Sequence, residues 1–155
     1  MHFTIERSSD EGRIEAFLSE NDAQFVPPLS SRVDINQYSI KLARSAVNWF
    51  ATARGHDVAH AAMYANDATG RQAFVSSLAV AAQHAGKGLG HALLTACVEH
   101  ARSVRLASVE LDVDSSNRSA RNFYSQHGFH PMPQRHESTV RMRLDLQRGA
   151  SAPET

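Results

Sequence analysis

The chain has 155 residues, the span of one domain, and is long enough for a hydrophobic core without disulfide or metal staples. Apolar residues make up 42% and charged residues 21%, an ordinary globular mixture that excludes wholesale disorder. The 16 basic and 16 acidic side chains balance, which argues against a partner held through nucleic-acid phosphates. Neither half is a charged tail. The lone cysteine, Cys97, cannot close an internal disulfide and fits a reducing compartment. Met1 to Asp10 lacks the apolar stretch of a signal peptide, and no apolar run approaches the ~18 residues of a membrane span. The expectation is a cytoplasmic protein with one domain over residues 1–146.

In chain order, His2–Arg7 alternates, with Phe3 and Ile5 on one face, and predicts a first strand. Ser8, Ser9 and Asp10 offer N-caps to a helix whose stripe is Ile14, Phe17 and Leu18. Pro27-Pro28 stops regular structure. Ile35, Tyr38 and Leu42 follow at helical spacing, predicting a helix over 34–45. Val47–Ala53 and Val58–Ala65 read as strands joined by the turn Arg54-Gly55-His56-Asp57. A second turn, Asn66 to Gly70, leads to a strand over Ala73–Ala81. After Gly86-Lys87-Gly88-Leu89-Gly90 comes a helix with Leu89, Ala92, Leu93, Ala96, Cys97 and Ala101 inward. Ser108–Val113 is a strand with Val109, Leu111 and Val113 facing the core, and Glu110 and Asp112 on its polar face. Ser115–Asn117 cap a short helix burying Ala120 and Phe123, with Gly128 just past its end. Val140, Met142, Leu144 and Leu146 alternate as a last strand, and 147–155 read as a frayed, disordered tail. The order βααβββαβαβ makes an α/β fold with a mixed sheet, in which only the strands flanking the long helix need a parallel crossover.

Gly86-Lys87-Gly88-Leu89-Gly90 lies between a strand and a helix, where orphan N–H groups and the helix dipole attract an anion. A P-loop fails here because Lys87 is followed by Gly88 rather than Ser or Thr. A dinucleotide fingerprint fails because the spacing is G-x-G-x-G. A ligand-free turn would need only one of the three glycines.

Leu78-Ala79-Val80, five residues, then Gly86-Lys87-Gly88-Leu89-Gly90-His91 resembles the acetyl-CoA loop of the GNAT family of N-acetyltransferases. Asn117-x-x-Ala120-x-x-Phe123-Tyr124-x-x-x-Gly128-Phe129 is similar to the family's second signature. Together they cover about residues 74–130. One departure stands out. The family motif begins with Gln or Arg at the position occupied here by Ala85, so one polar contact to the pyrophosphate would be missing or supplied from elsewhere. The resemblance implies a mixed, mostly antiparallel sheet flanked by helices, with a splayed parallel strand pair forming an acetyl-CoA cleft.

It also implies roles. Leu78, Ala79 and Val80 would pair their backbone with the pantetheine arm and polarise the thioester; the competing reading is buried core strand. Gly86, Lys87, Gly88, Leu89, Gly90 and His91 would cradle the pyrophosphate. Tyr124 would be the general acid to the departing thiolate, against a plain core aromatic. Asn117 would bond the CoA arm while also serving as an N-cap. Asp112 would activate the amine, against an ordinary exposed strand acid. Arg118 and Arg121 would reach CoA phosphates or stay solvated. The acceptor would sit among residues 25–41; from the residues themselves, Arg32 on the loop shaped by Pro27-Pro28 would hold a carboxylate or phosphate, and Tyr38 would give the acceptor an aromatic wall with a polar tip, against plain core packing. Nine histidines show no zinc spacing and read as surface residues, with no metal expected. Cys97 reads as a small core residue. The expected co-substrate is acetyl-CoA and the acceptor a small amine, of amino-sugar or amino-acid type. A protein N-terminus or lysine, or a catalytically weak CoA sensor, remain alternatives. Neither nucleic acid nor membrane is an expected partner, and a homodimer is left open.

Overall fold

The computed structural model describes residues 2–135 and 138–146. The first strand, β1 (Thr4–Arg7), pairs antiparallel with β2 (Val47–Ala53). Between them lie α1 (Glu11–Glu20) and α2 (Ile35–Ser45). Each starts where an aspartate caps it: Asp10 accepts the Arg13 N–H and Asp34 the Gln37 N–H, both at 3.0 Å. Losing such a cap costs about 1 kcal/mol. The expected stripe is buried. Ile14, Phe17, Leu18 and Leu42 pack with Leu29 on Phe50, Ala62 and Ala79, forming a layer on one face of the sheet.

β3 (His56–Tyr64) follows β2 through a turn of only Arg54 and Gly55, at φ of 54° and 80°. The turn expected over residues 54–57 is therefore half as long, because a two-residue turn with both φ positive matches the twist of a tight hairpin. β4 (Gln72–Val80) pairs antiparallel with β3, Ala62 facing Ser77 and Met63 facing Val75. Ser76 is thus an extra residue, a β-bulge that bends the strand. α3 (Leu89–Ser103) covers the opposite face and buries Leu89, Leu93, Leu94, Cys97 and Ala101. Its apolar stripe is wider than expected, since Leu94 is buried too.

The second half adds β5 (Ser108–Asp114), α4 (Arg118–Gln126), β6 (His130–Arg135) and β7 (Thr139–Asp145). Gly128, at φ 93°, follows the helix end as expected. The sheet order is β1-β2-β3-β4-β5-β7-β6, antiparallel except for β4 beside β5. β6 was not foreseen, because Pro131 and Pro133 speak against a strand. It is an edge strand paired only with β7, where a missing N–H leaves no ladder bond unmade. The expected tail, 147–155, lies outside the described residues. No described helix is long and apolar enough to cross a membrane.

One histidine corrects the surface reading. His60 on β3 is 0% exposed, with its Nε2 2.9 Å from Asn48 Oδ1. Asn48 Nδ2 faces the Leu42 and Ala46 carbonyls, so Oδ1 is the acceptor and His60 Nε2–H the donor. Nδ1 is buried with no partner among the described residues. Burial pushes the pKa of His60 down from 6.5 to about 3. Below pH 6.5 the unfolded chain takes up a proton that the folded one refuses, so stability falls as pH drops toward 3 and is level above 6.5. The slope contributed by His60 is about 1.4 kcal/mol per pH unit. Urea denaturation at pH 7 and pH 5 should differ by about 2 kcal/mol, and His60→Gln, which keeps the donor without titrating, should remove most of that difference. Equal slopes in both proteins would contradict the buried neutral ring.

Candidate active site

β4 and β5 pair only at Gln72–Ser108, Ala73–Val109 and Phe74–Glu110. Beyond them the Ser76 bulge turns β4 away while β5 stays paired with β7 out to Asp114, and a gap opens. Ala81 N–H donates to the Val58 carbonyl at 2.9 Å. Strand alternation then aims the backbone groups of Leu78 and Val80 into the gap and those of Ala79 toward β3, opposite His60. Two of the three expected residues thus offer backbone to a ligand. Ala79 instead has its side chain buried under α1 and α2.

At the C-terminal end of β4, a 3-10 turn (Ala82–His84) leads into the glycine loop. Gly86 and Gly88 are left-handed, at φ of 78° and 84°, and Gly88 caps α3 without a side chain. None of the six consecutive N–H groups from Gly86 to His91 donates to a protein acceptor among the described residues. A Cβ built on Gly86 or Gly88 meets nothing within 4 Å. Open space fronted by unpaired donors at a helix N-terminus fits a pyrophosphate. Gly90 differs: it is helical, and a Cβ there would stand 3.3 Å from Phe123 Cζ. Its smallness lets α3 rest on α4.

Gly86 and Gly88 are thus the loop glycines that the backbone requires, while Gly90 serves packing. Gln83 is exposed and lines, with His84 and Lys87, an open basin of about 1000 Å³ beside the loop. Leu89 anchors the loop with a buried side chain, so only its N–H faces outward. His91 pins α3 to α4. His127 Nδ1 must donate to the Phe123 carbonyl at 2.8 Å, so His127 Nε2 accepts from His91 Nδ1, also at 2.8 Å.

The gap continues into a cleft of about 290 Å³ lined by α4, the 24–38 segment and the splayed strands. Tyr124 lines it, its ring edge-on to Phe123 and Phe129 at 5.2 and 5.7 Å. Its hydroxyl makes no hydrogen bond among the described residues, and burial raises its pKa well above 10. A phenol held neutral and unpaired beside a cleft is a hydrogen-bond donor awaiting an acceptor. Asn117 also lines the cleft, with Oδ1 capping α4 through the Ala120 N–H at 3.2 Å. Its amide nitrogen stays available for a ligand.

Asp112 faces the cleft, but both its oxygens already accept from Arg141, at 2.5 and 3.2 Å. Arg141 also binds Glu110 at 3.0 Å and stacks 5.1 Å from the Phe74 ring. Glu110, expected on an exposed polar face, is 3% exposed because Arg141 and Arg143 cover it. Those arginines lie on β7, and no local signal in β5 announces them. Asp114, at the end of β5, is held below the usual carboxylate range, chiefly by the Ser116 hydroxyl.

Arg32 lines the cleft and has no ion-pair partner among the described residues. Tyr38 lines it too, although its hydroxyl bonds Ser76. Arg118 and Arg121 instead border a groove with Pro131, Val140 and Met142, and Arg121 donates to the Ser115 carbonyl at 3.1 Å. Cys97 is fully buried, and burial pushes its thiol up to about 12, as a core residue would be. Among the described residues no three His, Cys, Asp or Glu side chains gather as metal ligands.

The sequence model of the acetyltransferase (GNAT) family matches residues 14–129. No curated protein matches the chain. Among solved structures, the PaiA N-acetyltransferase of Thermoplasma acidophilum in complex with coenzyme A superposes with a TM-score of 0.75 at 14% identity, over 94% of this chain and 100% of that one. The ribosomal-protein-S18-alanine N-acetyltransferase of Escherichia coli gives 0.73 at 20%, over 93% and 94%. The IAA acetyltransferase of Bacillus cereus gives 0.72 at 17%, over 94% and 100%. At these identities the likeness is one of fold.

Proposed function

Because the chain belongs to the GNAT acetyltransferase family, we propose that it moves an acetyl group from acetyl-CoA to a small primary amine by direct attack in a ternary complex. One observation carries this reading: the β4–β5 gap has the six free N–H groups at one end and the unpaired Tyr124 hydroxyl in the cleft at the other. Acetyl-CoA supplies the activated thioester.

The chain's own groups do the rest. Gly86 to His91 hold the pyrophosphate through their N–H groups, with Lys87 and Gln83 beside it. Leu78 and Val80 pair with the amide-bearing arm, and the Leu78 N–H polarises the thioester oxygen as charge develops there. Asn117 bonds the arm through its free amide nitrogen. Tyr124 hydrogen-bonds the departing thiolate. A thiol pKa near 8.5 against a phenol above 10 makes complete proton transfer uphill by ~2 kcal/mol or more, so stabilisation is its main contribution. Asp112 takes the amine's proton through lone pairs that Arg141 leaves open. The amine sits among residues 25–41, where Arg32 holds a carboxylate or phosphate on the same molecule. A cleft of about 290 Å³ suits an amino acid or amino sugar.

The test is turnover of acetyl-CoA with a panel of amines, each amino acid paired with its amide. Turnover with lower KM for the acids is expected, since only they meet Arg32. Binding without turnover across the panel would favour a CoA sensor, and turnover only with peptides would assign a protein N-terminus or lysine. With an acceptor in hand, the acid limb of the pH–rate profile should flatten in Asp112→Asn. An unchanged limb would give the proton to the substrate or another base.

A further inference from the structure

We infer that Tyr38 is a positioning residue for acetyl transfer, its phenol holding the Ser76 bulge of β4 so that the Leu78 N–H stays aimed at the thioester oxygen. This rests on the acetyl-transfer reading above. Tyr38 Oη lies 3.1 Å from the Ser76 carbonyl oxygen and 2.5 Å from Ser76 Oγ. The phenol's one proton goes to the carbonyl, which can only accept, and Ser76 Oγ–H then donates to Oη. Both protons are used and the bulge is closed by a two-bond ring.

Ser76 needs such a hold. As the extra residue between the Ala62–Ser77 and Met63–Val75 pairs, it lies outside the ladder with β3, and the strand pairing with β5 ends at Phe74. Its carbonyl accepts from the Tyr38 hydroxyl instead of being fixed by a residue pairing of its own. Two residues on, Leu78 presents its backbone to the gap, so rotation at the bulge swings that N–H. The phenol comes from α2, which is fixed to the sheet by buried Leu42 and Ser39. The α2 helix therefore reaches the reacting centre through one hydroxyl. The same bonds occupy the polar tip that the sequence assigned to the acceptor.

The test uses acetyl-CoA labelled with 13C at the acetyl carbonyl. Infrared difference spectra should show the carbonyl stretch lowered on binding to the wild-type protein, and Tyr38→Phe should lose most of this lowering. Steady-state kcat should fall about tenfold in Tyr38→Phe, the scale expected when a donor is misaimed by part of an ångström. The KM values for acetyl-CoA and for the amine should change less than about threefold, because neither loses a contact of its own. Ser76→Ala keeps the carbonyl for the phenol and should fall less. The double variant should be no slower than Tyr38→Phe alone, since both changes act through one contact. An undiminished carbonyl shift and unchanged kcat in Tyr38→Phe would overturn the proposal. So would a raised amine KM with the carbonyl shift intact, which would return Tyr38 to the acceptor wall. If the wild-type protein itself shows neither turnover nor carbonyl shift, the acetyl-transfer reading is what fails.

Discussion

Gly88→Val is expected to abolish the thermal stabilisation that acetyl-CoA confers while leaving a folded protein. A ligand at 100 times its Kd stabilises by about 2.7 kcal/mol, or roughly 5–10 °C for a domain of this size. In the wild-type protein that shift should be plain in differential scanning fluorimetry. At φ 84° Gly88 occupies the left-handed region, where a β-branched residue is strained by roughly 1–2 kcal/mol. The space around its built Cβ is open, so the fold itself meets no clash. The loss falls on the ligand, because that space is where the pyrophosphate must approach the backbone. Gly90→Ala is the contrast. Its Cβ presses on Phe123 at 3.3 Å, a contact inside the protein, so it should trim stability and keep most of the ligand shift. A full shift in Gly88→Val would make the loop purely structural. No shift in the wild-type protein with acetyl-CoA or CoA would overturn the functional reading altogether.

Tyr124→Phe should lower kcat about 10- to 100-fold, equivalent to about 1.4–2.7 kcal/mol of transition-state stabilisation. Phenylalanine keeps the edge-on contacts with Phe123 and Phe129 and removes only the unpaired hydroxyl. The acetyl-CoA thermal shift should therefore be unchanged. Burial raises the phenol pKa, so the donor form persists through the alkaline range and the wild-type profile should show no alkaline fall from this group below pH 10. An unaltered kcat would return Tyr124 to a packing role.

Local chemistry made much of this protein legible in its sequence. Asp10 announces its helix because a short carboxylate just ahead of an apolar stripe satisfies a free N–H group of the first turn. The alternation of Val140, Met142, Leu144 and Leu146 sets the last strand, since a period of two has one buried face. The glycine loop and the Asn117–Phe129 segment point to a GNAT acetyltransferase, because an anion cradle and a capped helix are built within a few residues. Those features need no distant partner.

Whatever depended on distant partners was decided by the tertiary structure. β6 is a strand despite two prolines only because it lies at the sheet's edge, and edge position is a property of the whole sheet. Gly90 reads in sequence like its two neighbouring glycines, and only the packing of α4 shows Phe123 against it. His60 looked solvated until α1 and α2 closed over β3, and Asp112 looked free until β7 brought Arg141 beside it. Tyr38 kept its helical spacing in either case, but its hydroxyl met Ser76 only because a bulge, set by the mismatch of two strands, turned that residue toward it. A side chain's chemistry is local, while its partner is fixed by how elements far apart in sequence pack, so the type of site was readable and the pairing within it was not.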